Sequence, residues 1–500
     1  MKRIGSYYWQ DSKEKVVNDS DFQRKVIHAT KWSTITEIAA KLVSPITNMI
    51  LARILLPEAF GVVATITMII SFAEMFTDSG FQKYLVQHDF KDEDEKCRYA
   101  NISFWTNLVL AIIIWSIIVV FRDQLASLVG NPGLGNVIVI ACLQLPLTSF
   151  SSIQMALYRR AFDFETLFKV RIVAICMPFF ITIPLALIGL NYWALIIGAL
   201  AIQLFNAFAL TAKSKWKPKF YFNIKELKEM LSFSVWSLIE AISIWLTSWV
   251  DVFIIGSVLT QHYLGIYKTS ISMVNMLMAI ITNSVTPILF SSLSRLQDDK
   301  AQFNYVYLKF ERLASIFIFP LGIGIYLYSD LATRILLGSK WAEASDIIGI
   351  WALTSAFMIV FGHFSSEVYR SKGKPKLSFF AQILHLIALV PVCLISSTYG
   401  FWPLVYSRSL IRFHFVLVHL FIMKFSIGFP VFQIFKTVFP AFVSAIVMGV
   451  IGYFLKQVSR GITWDFISIA ICIVSYFAVL FIFPKIRKEI FRTIGTIGIR

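Results

Sequence analysis

The sequence predicts an all-α polytopic membrane protein with about 14 transmembrane helices: two six-helix lobes followed by two further helices. Three observations predict it. Of 500 residues, 57% are hydrophobic and only 15% charged, whereas a soluble domain carries about a quarter charged residues. Long stretches contain no charge at all, and the Lys and Arg residues fall on alternate segments between them.

A membrane-spanning helix needs about 20 mostly apolar residues. Asn101 to Phe121 is one uncharged run of that size. Ile172 to Ala212 is uncharged throughout and too long for one crossing, and Gly189-Leu190-Asn191-Tyr192 divides it as a tight turn. The same reading places spans near 24–52, 59–82, 99–121, 136–158, 170–189, 192–212, 231–256, 263–290, 310–329, 345–369, 377–398, 402–423, 437–455 and 464–484. Residues 1–20 are polar and lack the apolar core of a signal peptide. The five cysteines stand singly, without metal or redox spacing, so neither a metal nor a cofactor is expected.

Basic residues fix the orientation. With a cytoplasmic N-terminus, 36 of the 46 Lys and Arg residues fall on cytoplasmic segments and six on the opposite loops. The other four, Lys41, Lys268, Arg408 and Arg412, lie inside spans. This is the positive-inside pattern, and it places both termini in the cytoplasm of a bacterial inner membrane. The net charge of +17 is thus spread loop by loop and does not indicate nucleic-acid binding. The Lys213–Lys228 segment and the tail from Lys485 suit anionic lipid headgroups instead.

Sliding the chain by 204 residues aligns Trp32-Ser33 with Trp236-Ser237, and ten of the thirty-four positions from 32 to 65 are identical, Gly61 on Gly265 among them. Tyr158-Arg159 and Tyr369-Arg370 echo each other later in the two halves. The expected organisation is a cytoplasmic tail (1–23), an N-lobe (24–212), a cytoplasmic linker (213–230), a C-lobe (231–424), two extra helices (425–484) and a basic tail (485–500). Six spans per lobe is an even number, so the lobes should be related by a pseudo-twofold along the membrane normal around a central cavity.

Ionisable residues at membrane depth are costly and usually face a hydrated interior. Glu37 and Lys41 are spaced for pairing on one helix face, as Glu74 and Asp78 are spaced one turn apart. Asp251 lies in the seventh span and Lys268 in the eighth, while Arg408 and Arg412 share a face of the twelfth. Two readings stand side by side. The groups pair and hold helices together, or snorkel at span ends, as Glu74 and Asp78 could. Alternatively Lys41, Lys268, Arg408 and Arg412 line a partly cationic cavity for an anionic substrate, with Glu37, Asp251, Glu74 or Asp78 coupling an ion. Arg408 and Arg412 call for something negative beside them. Trp245, mid-span and aligned with Lys41 by the repeat, could stack on a sugar.

No Walker A run, His-Glu-x-x-His, nucleophile elbow or Cys/His set occurs, so no enzymatic activity is expected. Asp92-Glu93-Asp94 reads as a solvated charge run rather than a glycosyltransferase acid pair.

The stretch Ile50-Leu-Ala-Arg-Ile-Leu-Leu-Pro-Glu-Ala-Phe-Gly61, with Phe76-Thr-Asp-Ser-Gly-Phe81, resembles the opening of Wzx-type polysaccharide flippases. Asp251 to Gly256 and Leu264 to Tyr267 are similar to that family's seventh-to-eighth helix turn. The resemblance implies a MATE-like fold. It also implies translocation of a polyprenyl-diphosphate-linked oligosaccharide for O-antigen, capsule or exopolysaccharide synthesis. A cationic cavity between the first, second, seventh and eighth helices would serve it, and Lys41 and Lys268 fit that placement. Membrane lipids would be neighbours, and a polymerase and glycosyltransferases would be partners. A cation-coupled drug antiporter would want an acid-rich cavity, and a polymerase or ligase would want a larger outer loop.

Overall fold

The computed structural model describes residues 28, 31–33, 35–36, 39–41, 43–77, 80–459, 461–484 and 486–487, except the side chains of 232–240. Every regular element among them is helical. Among the described residues, thirteen helices are long and apolar enough to cross a membrane. They are α1 Pro57–Thr77, α2 Glu93–Val120, α3 Gly135–Arg160, α4 Phe164–Leu187, α5 Tyr192–Lys213, α6 Ile224–Val258 and α7 Gln261–Arg295. The series continues with α8 Lys300–Leu327, α9 Ala344–Ser371, α10 Lys376–Ser397, α11 Phe401–Ile427, α12 Phe432–Val458 and α13 Ile462–Ile482. The predicted first span falls partly outside the described residues; its described part ends in a helix at 43–54. The chain is an all-helical, multi-pass membrane protein.

Local chemistry explains the boundaries. Asp92 caps α2, its carboxylate accepting the Glu95 amide at 2.6 Å, while Glu95 accepts the Lys91 amide at 2.5 Å. The acidic run is therefore a helix start, where carboxylates meet the positive end of the helix. At the α4–α5 turn, Gly189 (φ 88°) and Asn191 (φ 49°) take up the left-handed backbone that the sharp reversal needs. The predicted linker is irregular only over 214–223, because Asn223 accepts the Lys225 amide and starts α6 seven residues early. Asn101 and Trp105 of α2 hold this segment through the amide and carbonyl of Lys219, at 2.8 and 2.9 Å.

The chain divides into two compact units. One holds the described residues up to Leu55 together with Thr65–Ile242; the other holds Leu56–Ala64 and the residues from Ser243 onward. In the first unit α3 packs against α2 and α5, and α5 against α4. In the second, α8 packs against α9 and α12, α10 against α11, and α12 against α13. The last two helices are integral to this unit. Tyr476 of α13 donates to the Ile316 carbonyl at 2.7 Å, and Lys456 of α12 to the Leu327 carbonyl at 2.7 Å. Phe319 of α8 sits among Phe357, Phe361 and Phe442 at 5.7, 6.2 and 5.4 Å between ring centroids.

Candidate functional site

In lipid, a polar side chain without a partner is costly, so polar residues of spanning helices gather where water or a ligand reaches them. The first unit gathers them around a cavity of about 520 Å³. Helical spacing explains the lining. Ser71, Glu74 and Met75 share a face of α1, Thr148, Ser151, Ser152 and Met155 a face of α3, and Gln203 and Asn206 a face of α5. Asn107 comes from α2, Gln82 and Lys83 from the short helix Phe81–Gln87, and Arg171 from the start of α4. Lys83 and Arg171 are exposed, whereas Asn107 and Ser149 are 1% and 2% exposed. Among the described residues, the Asn107 side-chain carbonyl and the Ser149 hydroxyl have no hydrogen-bond partner.

Amides and hydroxyls offer both donors and acceptors, the complement of a sugar's hydroxyl groups. The two cations offer charge-assisted bonds to phosphate. Of the residues expected to line a cavity or couple an ion, Glu74 lines this one, half-buried and engaged in a polar contact. Asp78 and Glu37 lie outside the described residues. Lys41 is half-buried in the helix before α1. Lys83 and Arg171 belong in the sequence to the cytoplasmic basic segments, and the remaining polar lining groups are uncharged. Their signal was present, in the Thr148–Ser152 run and in Gln203 and Asn206 within otherwise apolar spans.

The second unit collects the remaining candidates. Asp251 (α6) and Arg408 (α11) form a buried ion pair, Nε to Oδ2 at 2.8 Å, and the Tyr267 hydroxyl donates to the same oxygen at 2.7 Å. The negative group expected beside Arg408 is therefore Asp251. Arg412, one turn on, donates to the Ser355 hydroxyl at 2.7 Å and lies with its guanidinium carbon 4.0 Å from the Trp351 ring centroid. Lys268 lies 3.9 Å above the Trp249 ring. Trp245 is half-buried one turn earlier on α6. These aromatic faces supply part of the charge compensation that carboxylates would otherwise give.

The repeat also has a structural counterpart inside the second unit. A Cβ on Gly61 would lie 2.0 Å from the Gln261 carbonyl oxygen, and one on Gly265 would lie 1.8 Å from the Pro57 carbonyl oxygen. Gln261 is the repeat equivalent of Pro57, and Gly265 of Gly61. Glu58 meets its own equivalent, His262, at 2.8 Å, and the other imidazole nitrogen lies 3.2 Å from Glu343.

A family model described as "Polysaccharide biosynthesis protein" matches residues 50–346, beginning where the Ile50–Gly61 motif begins. The chain belongs to the polysaccharide biosynthesis protein family. The Wzx-type resemblance is borne out by its relatives. The chain is 23% identical over 382 residues to an uncharacterized membrane protein in the cps region of Klebsiella pneumoniae, covering 75% of this chain and 77% of that one. It is 19% identical to the lipopolysaccharide biosynthesis protein WzxC of Escherichia coli, with 75% of each covered. It is 24% identical to the succinoglycan biosynthesis transport protein ExoT of Rhizobium meliloti, with 65% of each covered.

Among solved structures, the lipid II flippase MurJ in an inward closed conformation superposes with a TM-score of 0.75, over 90% of this chain and 98% of that one, at 17% identity. An inward-facing multidrug resistance MATE transporter superposes at 0.60, over 78% and 94%, at 12% identity. The predicted MATE-like fold is thus the fold of this family member.

Proposed function

We propose that the chain is a translocase for polyprenyl-diphosphate-linked oligosaccharide, moving it across the cytoplasmic membrane for surface polysaccharide synthesis. The observation that carries this reading is the cavity in the first unit: amides and hydroxyls for a glycan, with Lys83 and Arg171 for its diphosphate. The family and the names of WzxC and ExoT support it. The hydrocarbon tail stays in lipid, since lipid is already apolar and moving the tail among amides, hydroxyls and charges gains nothing. With both termini cytoplasmic, Lys83 and Arg171 stand on the basic, cytoplasmic side, where such a glycan is assembled. Glycosyltransferases would supply the substrate and a polymerase would receive it.

Among the described lining residues one carboxylate, Glu74, stands with two cations, Lys83 and Arg171, the reverse of what a cationic drug would need. The test is complementation of a deletion strain. Arg171→Glu should lose surface polysaccharide and leave the lipid-linked intermediate on the cytoplasmic leaflet, while Arg171→Lys keeps export. Full export by Arg171→Glu would remove the cavity from the mechanism, and normal surface polysaccharide in the deletion strain itself would remove the function.

A further inference from the structure

A carboxyl group that the sequence reading passed over lies inside the second unit. Glu311, on α8, is 1% exposed, and among the described residues neither of its oxygens has a hydrogen-bond partner. Tyr307, one turn before it, and Ser365 of α9 are both fully buried, and their hydroxyls are equally unpartnered. Tyr307 and Glu311 stand one turn apart on one face of α8, with Ser365 near the Tyr307 hydroxyl. Four buried oxygens therefore converge without a donor among them being committed.

Among the described residues, no ion pair gives Glu311 a counter-charge. Glu367 and Arg370 of α9 pair with each other at 3.3 Å. Lys372 lies over the Phe303 ring at 4.2 Å. Arg312, the next residue, is half-buried and has an interaction of its own. The buried side chains at the corresponding ends of α7 (Leu289, Leu293) and α12 (Ile434, Val438) are apolar. An ionised carboxylate here would be an uncompensated buried charge, which burial strongly disfavours. A neutral acid has one O–H that either neighbouring hydroxyl can accept.

The cluster also has a continuation. Tyr369, one turn after Ser365 on α9, lies 3.1 Å through its hydroxyl from Nδ1 of His419 on α11. Beyond it the rings of His385 and His414 stack at 5.8 Å, and Nδ1 of each lacks a partner. Four of the seven histidines in the chain, His363, His385, His414 and His419, thus lie on α9 to α11. Imidazoles and phenols both accept and donate protons, and buried chains of such groups mark proton pathways.

We propose that Glu311 binds and releases the proton that this transporter exchanges for its substrate, passed by Tyr307, Tyr369 and His419. One proton enters the carboxylate and the same proton leaves it, so the group alternates between neutral acid and anion. Binding does not depend on the translocase reading; only what the proton is exchanged against does.

The test uses the purified full-length protein and needs no substrate. Infrared difference spectra between acid and alkaline pH should contain a carboxylic-acid C=O band that titrates reversibly and is lost in Glu311→Gln. Tyr307→Phe, which keeps the acid and the shape, should shift that band. An unchanged band in both variants would overturn the proposal, as would a band that responds to sodium at fixed pH and not to protons. In cells, Glu311→Gln should lower surface polysaccharide at least tenfold at wild-type protein levels. Undiminished export beside a lost band would overturn the coupling. A titrating band in a protein that exports no glycan would leave the proton site standing and remove the translocase reading instead.

Discussion

Gly61 and Gly265, equivalent under the 204-residue repeat, meet backbone to backbone: each stands where any Cβ would strike a carbonyl opposite. The contact is reciprocal, with Gly61 against Gln261 and Gly265 against Pro57, which is the form a local two-fold imposes on a self-complementary patch. Two forces act on a substitution here. Alanine favours a helix over glycine by about 1 kcal/mol, but forcing atoms into a filled contact costs about 1–3 kcal/mol. With the new carbon 2.0 Å or less from an oxygen, the second effect wins. Gly61→Ala and Gly265→Ala should both lower the melting temperature in detergent. Gly324→Ala, whose Cβ meets nothing within 4 Å, should leave it unchanged or raise it.

The Asp251–Arg408 pair should be strongly coupled. Removing one partner of a buried pair leaves the other uncompensated and costs about 3–5 kcal/mol. Asp251→Asn and Arg408→Gln should each destabilise by that order. The double variant should lose clearly less than the sum, because neither charge is then left alone. Thermal unfolding of the four proteins forms the cycle; additive losses would mean that the pair contributes nothing as a pair.

Arg412 depends on a ring. Its guanidinium carbon sits 4.0 Å from the Trp351 ring centroid, and a lysine ammonium would not present the same planar fork there. Trp351→Leu should lower stability by about 1–2 kcal/mol through the lost cation–π contact alone. It should also abolish the hydrogen bond that Trp351 Nε1 makes to Asn275 Oδ1 at 3.1 Å. Trp351→Phe should retain part of the stability, as measured by the same melts.

The polar cavity should be sensitive to substitutions that preserve its volume. Asn206→Leu removes an amide donor and acceptor from the lining. If the residue binds substrate through one hydrogen bond worth about 1–1.5 kcal/mol, export should fall roughly tenfold. Protein level and monodispersity should stay constant, because the wild-type amide is half-buried at the cavity wall. Lys41→Glu tests the other candidate drawn from sequence: export should be lost, and Lys41→Arg should keep most of it.

Composition, the alternation of basic segments and the 204-residue repeat determined that the chain is an all-helical polytopic membrane protein, because transfer of a helix into lipid depends on its own residues. The same reading reached Gly61, Gly265 and the Wzx-type motif, since a repeat is visible as identity. Tertiary structure alone decided which polar groups meet. Asp251 and Arg408 are 157 residues apart, and whether two helices turn those faces toward each other depends on packing that mean hydropathy does not encode. For the same reason the charges drew attention while Asn107, Gln203 and Asn206, uncharged and on separate helices, form the lining of the cavity. Glu311 stood at a predicted span end, where a carboxylate can snorkel; only the packing of α9 and α12 around it encloses it.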